Sequence, residues 1–143
     1  MPRMPISIDT RTPFGERAAR RLRDDPIAWL ITVSPDGQPQ PSPIWFEWDG
    51  SSILLYSKPD TPKLRNIAAN PRVTVHLDGN GEGGDIVIVS GTAGVSDDPP
   101  ADQVPTYLSK YGPFIERNGW TPAEFAGNYS VALRIEPTRL RGW

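Results

Sequence analysis

The chain has 143 residues, a formal net charge of −2, one histidine and no cysteine. That length suits one domain, residues 1–143, with a core of its own, and the acidic balance speaks against sequence-independent nucleic-acid binding. The missing cysteines exclude disulfides, thiolate metal sites and a cysteine nucleophile, and the single His76 leaves no His-rich metal site and no histidine-based acid–base pair.

Met1 to Arg11 reads as an irregular arm, and Thr12 to Arg23 as a helix capped by Thr12 with Pro13 behind it. Phe14, Ala18 and Leu22 recur every four residues and form its apolar face; its arginines are expected to face solvent or a partner. Ile27 to Ser34 is a strand with Ile27, Trp29, Ile31 and Val33 on one face. Asp36-Gly37 predicts a hairpin turn into a second strand, Gln38 to Trp48. Pro39, Pro41 and Pro43 alternate along its first half, which marks an edge or an irregular start. Asp49-Gly50 turns the chain again, into a third strand from Ser52 to Ser57, and a short helix from Pro62 to about Asn70 follows.

Arg72 to Leu77 is the fourth strand, with Val73, Val75 and Leu77 on one face. The loop Asp78–Gly84 is glycine-rich but lacks the Gly-Lys-Ser/Thr ending of a phosphate loop and reads as a mobile turn. Asp85 to Val95 is the fifth strand, apolar on both faces at its start, Ile86 and Ile88 against Val87 and Val89. A two-sided apolar strand suggests a closed barrel packed against something else, such as a second subunit. Short helices are expected at Ala101–Lys110, Pro113–Asn118 and Pro122–Gly127, then a sixth strand, Tyr129 to Ile135, with Thr138 to Trp143 as a possible last piece. The predicted class is mainly β: a six-stranded antiparallel split β-barrel with short flanking helices.

No apolar run approaches the length of a membrane span and the N-terminus lacks the apolar core of a signal peptide, so neither a membrane nor export is expected and the cytoplasm is the expected location.

The most informative stretch is Tyr56 to Arg72. Thr61 stands as an N-cap with Pro62 at the first helical position, and Lys58, Lys63 and Arg65 crowd the helix start, with Arg72 past its end. Unpaired backbone N–H groups, the positive end of the helix dipole and these cations together suit an anion, most naturally a phosphate. Trp45 lies opposite Ile44 and Phe46 on its strand and suits a dimer contact or a cofactor contact equally. His76 alternates with valines and is expected to hydrogen-bond on the outer sheet face, and Trp143 either frays or docks near a partner's site.

Thr32-Val-Ser-Pro-Asp-Gly-Gln-Pro39, Pro43-Ile-Trp-Phe46, Pro62-Lys-Leu-Arg-Asn-Ile67 with Asn70-Pro-Arg72, and Gly91-Thr-Ala93 together resemble the split β-barrel flavin-binding superfamily typified by pyridoxamine 5′-phosphate oxidase. Lys63-Leu-Arg-Asn66 followed by Asn70-Pro71 is the most specific piece, and it is similar to the actinobacterial branch that uses the deazaflavin coenzyme F420. The resemblance runs from about Asp25 to Trp143. It implies a homodimer with cofactor sites at the subunit interface. It also implies a phosphate held by Ser57, Lys58, Lys63, Arg65 and Asn66, and a ring system lined by Pro43, Ile44 and Trp45. The arginine and histidine set expected for a pyridoxal phosphate product is not found, which argues against vitamin B6 oxidation.

The function implied is an F420-dependent oxidoreductase that passes a hydride to a small organic electrophile, with no side chain cast as a dedicated catalytic group and no metal. Alternatives are an FMN-dependent oxidoreductase on the same fold, or a non-catalytic module that binds a flavin or haem. The coenzyme's long acidic tail calls for further cations, for which Arg65, Arg72 and the first-helix arginines are candidates.

Overall fold

A computed structural model describes residues 6–143; the first five residues of the expected N-terminal arm lie outside the described residues. The first helix, α1 (Pro13–Asp24), starts as the sequence dictates: the Thr12 side chain accepts the Gly15 N–H at 2.9 Å, and Ala18 and Leu22 are buried beneath it. Its arginines do not simply face solvent. Arg17 and Arg21 pair with Asp85, and Arg21 pairs also with Asp25, which fastens α1 to the segment before the sixth strand.

Seven strands follow: β1 (Ala28–Val33), β2 (Pro39–Ile44), β3 (Glu47–Trp48), β4 (Ile53–Ser57), β5 (Arg72–Leu77), β6 (Val87–Val95) and β7 (Val131–Gly142). They form one antiparallel sheet in the order β2-β1-β5-β6-β7-β4-β3. Its two edge strands, β2 and β3, are separated along the chain by Trp45 and Phe46 alone. One run of chain therefore belongs to both edges, which curls the sheet toward closure. This is why the strand expected over Gln38–Trp48 divides in two and the strand count rises from six to seven.

The break is held from outside the sheet. The Phe46 N–H donates to the Tyr111 hydroxyl at 2.8 Å, and the Phe46 carbonyl accepts from Lys110 Nζ at 2.9 Å. The Tyr111 proton is shared between the Pro26 carbonyl, 2.8 Å away, and that of Phe46, 2.9 Å away. Burial pushes Lys110 down to about 8. Both donors lie on α3 (Pro105–Arg117), which runs straight through Pro113 where two short helices were expected. A 3-10 turn at Ala101–Gln103 precedes it and α4 (Pro122–Asn128) follows, opened by a Thr121–Glu124 capping box.

The core has two parts. Inside the curl, Leu30, Phe46, Ile53, Leu55, Val75, Val89 and Leu133 pack with Ala18 and Leu22 of α1. Outside it, Leu54 and Tyr56 pack against Tyr107, Tyr111, Ile115 and Phe125 of α3 and α4. Every residue of β4 is consequently buried, because alternate side chains face the barrel and the helices. The two-sided pattern anticipated for the fifth strand is weaker: Val87 and Val89 are buried and Ile88 is half-buried on the outer face. In β1 the core face is Ala28, Leu30 and Thr32, while Trp29, Ile31 and Val33 form the half-exposed outer face.

The final strand runs unbroken from 131 to 142, joining the two pieces expected on either side of Pro137. A register shift between Ser90 and Gly91 absorbs the proline, as bulges do. A Cβ on Gly91 would stand 2.5 Å from the Glu136 carbonyl oxygen, so this crossing needs a glycine. No helix of the described residues is long and apolar enough to cross a membrane.

Candidate functional site

Strand β4 ends at Ser57 beside the start of α2 (Pro62–Ala69). Thr61 occupies the N-cap position with extended backbone, but its hydroxyl lies 3.0 Å from Ser57 Oγ and caps nothing. The first turn of α2 thus has no side-chain cap, which leaves its positive end open to an outside anion. Lys63 sits in that turn, half-buried, with burial alone pulling its pKa below the ordinary lysine value and no acidic side chain opposing it.

Neighbouring cluster members make contacts within the chain. Arg65, exposed, donates to the Asp60 carbonyl at 2.6 Å and braces the left-handed turn at Asp60 (φ 60°). Asn66 is buried, and its amide donates to Thr32 Oγ1 at 3.0 Å and Gln40 Oε1 at 2.8 Å, which ties α2 to β1 and to β2. Ser57 Oγ donates to the Lys58 carbonyl at 2.8 Å. Lys58 is exposed and its ammonium stands 5.5 Å from the Tyr129 ring.

Lys63 opens onto a pocket of about 240 Å³. Pro43, Ile44 and Trp45 line it, so four of the eight residues expected in a site, these three and Lys63, meet in one cavity; Ser57, Lys58, Arg65 and Asn66 are not in its lining. The rest of the wall comes from residues that the sequence reading left as ordinary strand and helix: Tyr56, Tyr107, Asn118, Trp120, Phe125 and Tyr129. Their signal was the i, i+4 spacing of Tyr107 with Tyr111 and of Phe125 with Tyr129, an aromatic stripe of the kind that packs a helix against a sheet. Trp45 stacks on Tyr111 with centroids 5.0 Å apart and on Phe125 at 5.3 Å, so it faces the helical layer of its own chain. No carboxylate lines the pocket.

The remaining cations lie elsewhere. The first-helix arginines are held in ion pairs with Glu16, Asp24, Asp25 and Asp85. Arg72 stands on the outer face of the sheet with Ile31, Val33, Thr74 and Thr92 around an open concavity of about 790 Å³. On that face His76 is half-buried, its Nδ1 3.1 Å from the Leu77 carbonyl oxygen. The 78–84 loop is organised by Asn80, whose side-chain oxygen accepts the Glu82 and Gly84 N–H groups. Trp143 remains 64% exposed, although its ring N–H donates to the Gly83 carbonyl and its backbone pairs with Ile86.

A curled antiparallel sheet with an anion-ready helix start beside an aromatic pocket has counterparts among known proteins. The family model described as pyridoxamine 5′-phosphate oxidase matches residues 14–143. The chain belongs to that family. A solved structure named F420 reductase is 28% identical, with a TM-score of 0.63 over 85% of this chain and 94% of its own. A conserved hypothetical protein from Mycobacterium tuberculosis is likewise 28% identical, with a TM-score of 0.67 over 87% of this chain and 81% of its own. A FAD-binding protein from Mesorhizobium loti, 22% identical and covering 87% of this chain and 90% of its own at a TM-score of 0.62, shares the fold. No curated protein matches the sequence. Family membership supports a flavin-type oxidoreductase fold at the level of class.

Proposed function

We propose that this protein is an oxidoreductase that uses the deazaflavin coenzyme F420 to reduce a small organic electrophile. The observation that carries the reading is Lys63: a half-buried ammonium without an acidic neighbour, in the uncapped first turn of α2, beside the Pro43–Trp45 backbone. The residues present fit a phosphorylated ring cofactor. Lys63 and the free end of α2 would hold the phosphate, with Lys58 and Arg65 near enough in sequence to add charge. Ser57 ties the end of β4 to Thr61 at the helix start, Asn66 ties α2 to β1 and β2, and Pro43, Ile44 and Trp45 would bound the ring. When bound, the coenzyme supplies a hydride; the protein's part is to orient the ring and keep water from it.

The similarity to a structure named F420 reductase, at 28% identity, favours F420 over FMN. Calorimetric titration of the purified protein with both cofactors tests this. Tighter binding of F420 is expected, and equal or tighter binding of FMN would sink the preference and favour an FMN enzyme on the same fold.

The proposed working unit is a homodimer in the cytoplasm. Its support is the outer sheet face, where Trp29, Ile31, Val33 and Ile88 remain half-exposed, Ile31 and Val33 within the larger concavity.

A further inference from the structure

The chain has three lysines, Lys58, Lys63 and Lys110, and the fold gives each a different setting. Lys58 is exposed, and Lys63 is half-buried in the first turn of α2. Lys110, also half-buried, lies on α3 against the break between β2 and β3, outside the lining of the aromatic pocket. Its Nζ stands 4.0 Å from the centroid of the Phe46 ring and 5.3 Å from that of Tyr111, two side chains with no exposure at all. Its one hydrogen bond among the described residues goes to the Phe46 carbonyl, at 2.9 Å. Three carboxylates act on it from further off: Asp24 at the end of α1, Asp25 just beyond, and Glu47 on β3. Lys110 is in no ion pair among the described residues, and Asp24 and Asp25 are paired with Arg23 and Arg21.

An ammonium so placed has given up much of its water for one neutral acceptor and two ring faces. Burial outweighs the three carboxylates and brings the group from the ordinary lysine value of 10.5 to about 8. Near neutral pH such a lysine presents the free amine, its nucleophilic form, in roughly two orders of magnitude greater proportion than an exposed lysine does. The surroundings also choose the electrophile. Carboxylates on α1 and β3 disfavour an anionic reagent, so a neutral one is admitted. The product is chosen as well. An amide carries no charge and relieves the cost of a half-buried ammonium, whereas a methylated amine retains it.

We infer that Lys110 is a modification site that takes an acyl group from a small neutral thioester. The amine nitrogen attacks the acyl carbon, the C–N bond forms as the C–S bond breaks, and the thiol leaves with the proton that the nitrogen sheds. The amide left behind has one N–H and no charge, so the Phe46 carbonyl loses a charge-assisted hydrogen bond and has a neutral one at best in its place. Phe46 follows Trp45, which lines the aromatic pocket, so acylation loosens that wall from outside the pocket. The site needs no coenzyme, and it stands apart from the cofactor reading above.

The purified full chain is incubated near neutral pH with S-acetyl-N-acetylcysteamine, a neutral thioester, and separately with acetyl phosphate, a dianion. Acetylation of each lysine-bearing peptide is followed by mass spectrometry. With the thioester, Lys110 is expected to react about tenfold faster than Lys58, and its rate to level off above about pH 9 while that of Lys58 still climbs. Acetyl phosphate is expected to lose the preference for Lys110, and so is the thioester when the chain is unfolded in urea. Equal thioester rates at Lys58 and Lys110 in the folded protein, one pH dependence shared by both, or a preference that survives in urea or extends to acetyl phosphate would overturn the inference. Hydrogen exchange of the acetylated protein reads the consequence. The amides of residues 44–48 should exchange several-fold faster than in the unmodified chain, with those of β5 unchanged. Lys110→Arg, given the same thioester treatment, should keep the slower exchange. An unchanged 44–48 segment in the acetylated parent, or the same acceleration in the treated variant, would overturn the link from Lys110 to the pocket wall.

Discussion

Lys63 keeps an ammonium group half out of water with no acid to offset the loss of hydration, so the charge gains most when an anion arrives. Charge-assisted hydrogen bonds are worth about 1.5–3 kcal/mol. Lys63→Ala should therefore weaken F420 binding roughly tenfold or more in a calorimetric titration, with the thermal melt of the free protein essentially unchanged; unaltered affinity would take Lys63 out of the site. The place of Lys63 in the first turn of α2 was legible in the sequence because a Thr-Pro helix start is a local signal. The division of labour among its neighbours was not. Nothing local distinguishes Arg65, which braces the Asp60 turn, or Asn66, which ties α2 to β1 and β2, from residues that meet a ligand. Tyr107, Trp120 and Phe125 were equally silent, since a pocket wall is defined by what comes together in space.

Elements with a local rule behind them came out as expected. The Thr12 cap, the Asp36-Gly37 and Asp49-Gly50 turns and the strand Arg72–Leu77 all follow from side-chain preferences a few residues wide. Those that tertiary contacts remake did not. β2 and β3 divide because Tyr111 and Lys110, more than 60 positions away, satisfy the backbone of Phe46. Tyr111→Phe should cost roughly 1–3 kcal/mol, because it leaves a buried N–H without an acceptor, and urea titration measures it. A second long-range tie joins β7 to the Asp49 turn and to the segment after β6: Arg134 pairs with Asp49 at 3.0 Å and with Asp98 at 2.7 Å. The Arg134 hydrogen bond holds the Asp98 carboxyl below its ordinary value of 3.8. A depressed carboxylate stabilises the fold above the unfolded-state pKa and ceases to do so as pH falls through the folded one. Asp98→Asn should thus lower the melting temperature at pH 7, and the gap to the parent should shrink as the pH is taken from 4 toward 2; a gap that stays constant would dissociate the pair from acid stability.

For the molecule as a whole, the class of fold was legible and its closure was not. Hairpin turns and strand spacing indicated an antiparallel barrel, but that one run of chain serves both sheet edges is a property of the assembled sheet. The half-exposed apolar residues of β1 and β6 predict a dimer: light scattering at micromolar concentration should give twice the chain mass, and a monomer would undercut a site shared between subunits.

The alternate prolines of β2 have a further consequence. Along a ladder, N–H groups point by turns toward the neighbour and away from it, and a proline has none to give. β2 pairs with β1 on one side only, so Gln40, Ser42 and Ile44 supply the bonds, and Pro39, Pro41 and Pro43 fall where the groups would point outward. The exposed margin of this strand then offers carbonyls and no donors, and a stray strand from another molecule has nothing to zip onto. Aggregation by strand addition is thereby blocked at the longer of the two edges, the other being two residues long. A second copy is therefore not recruited by adding a strand at this edge.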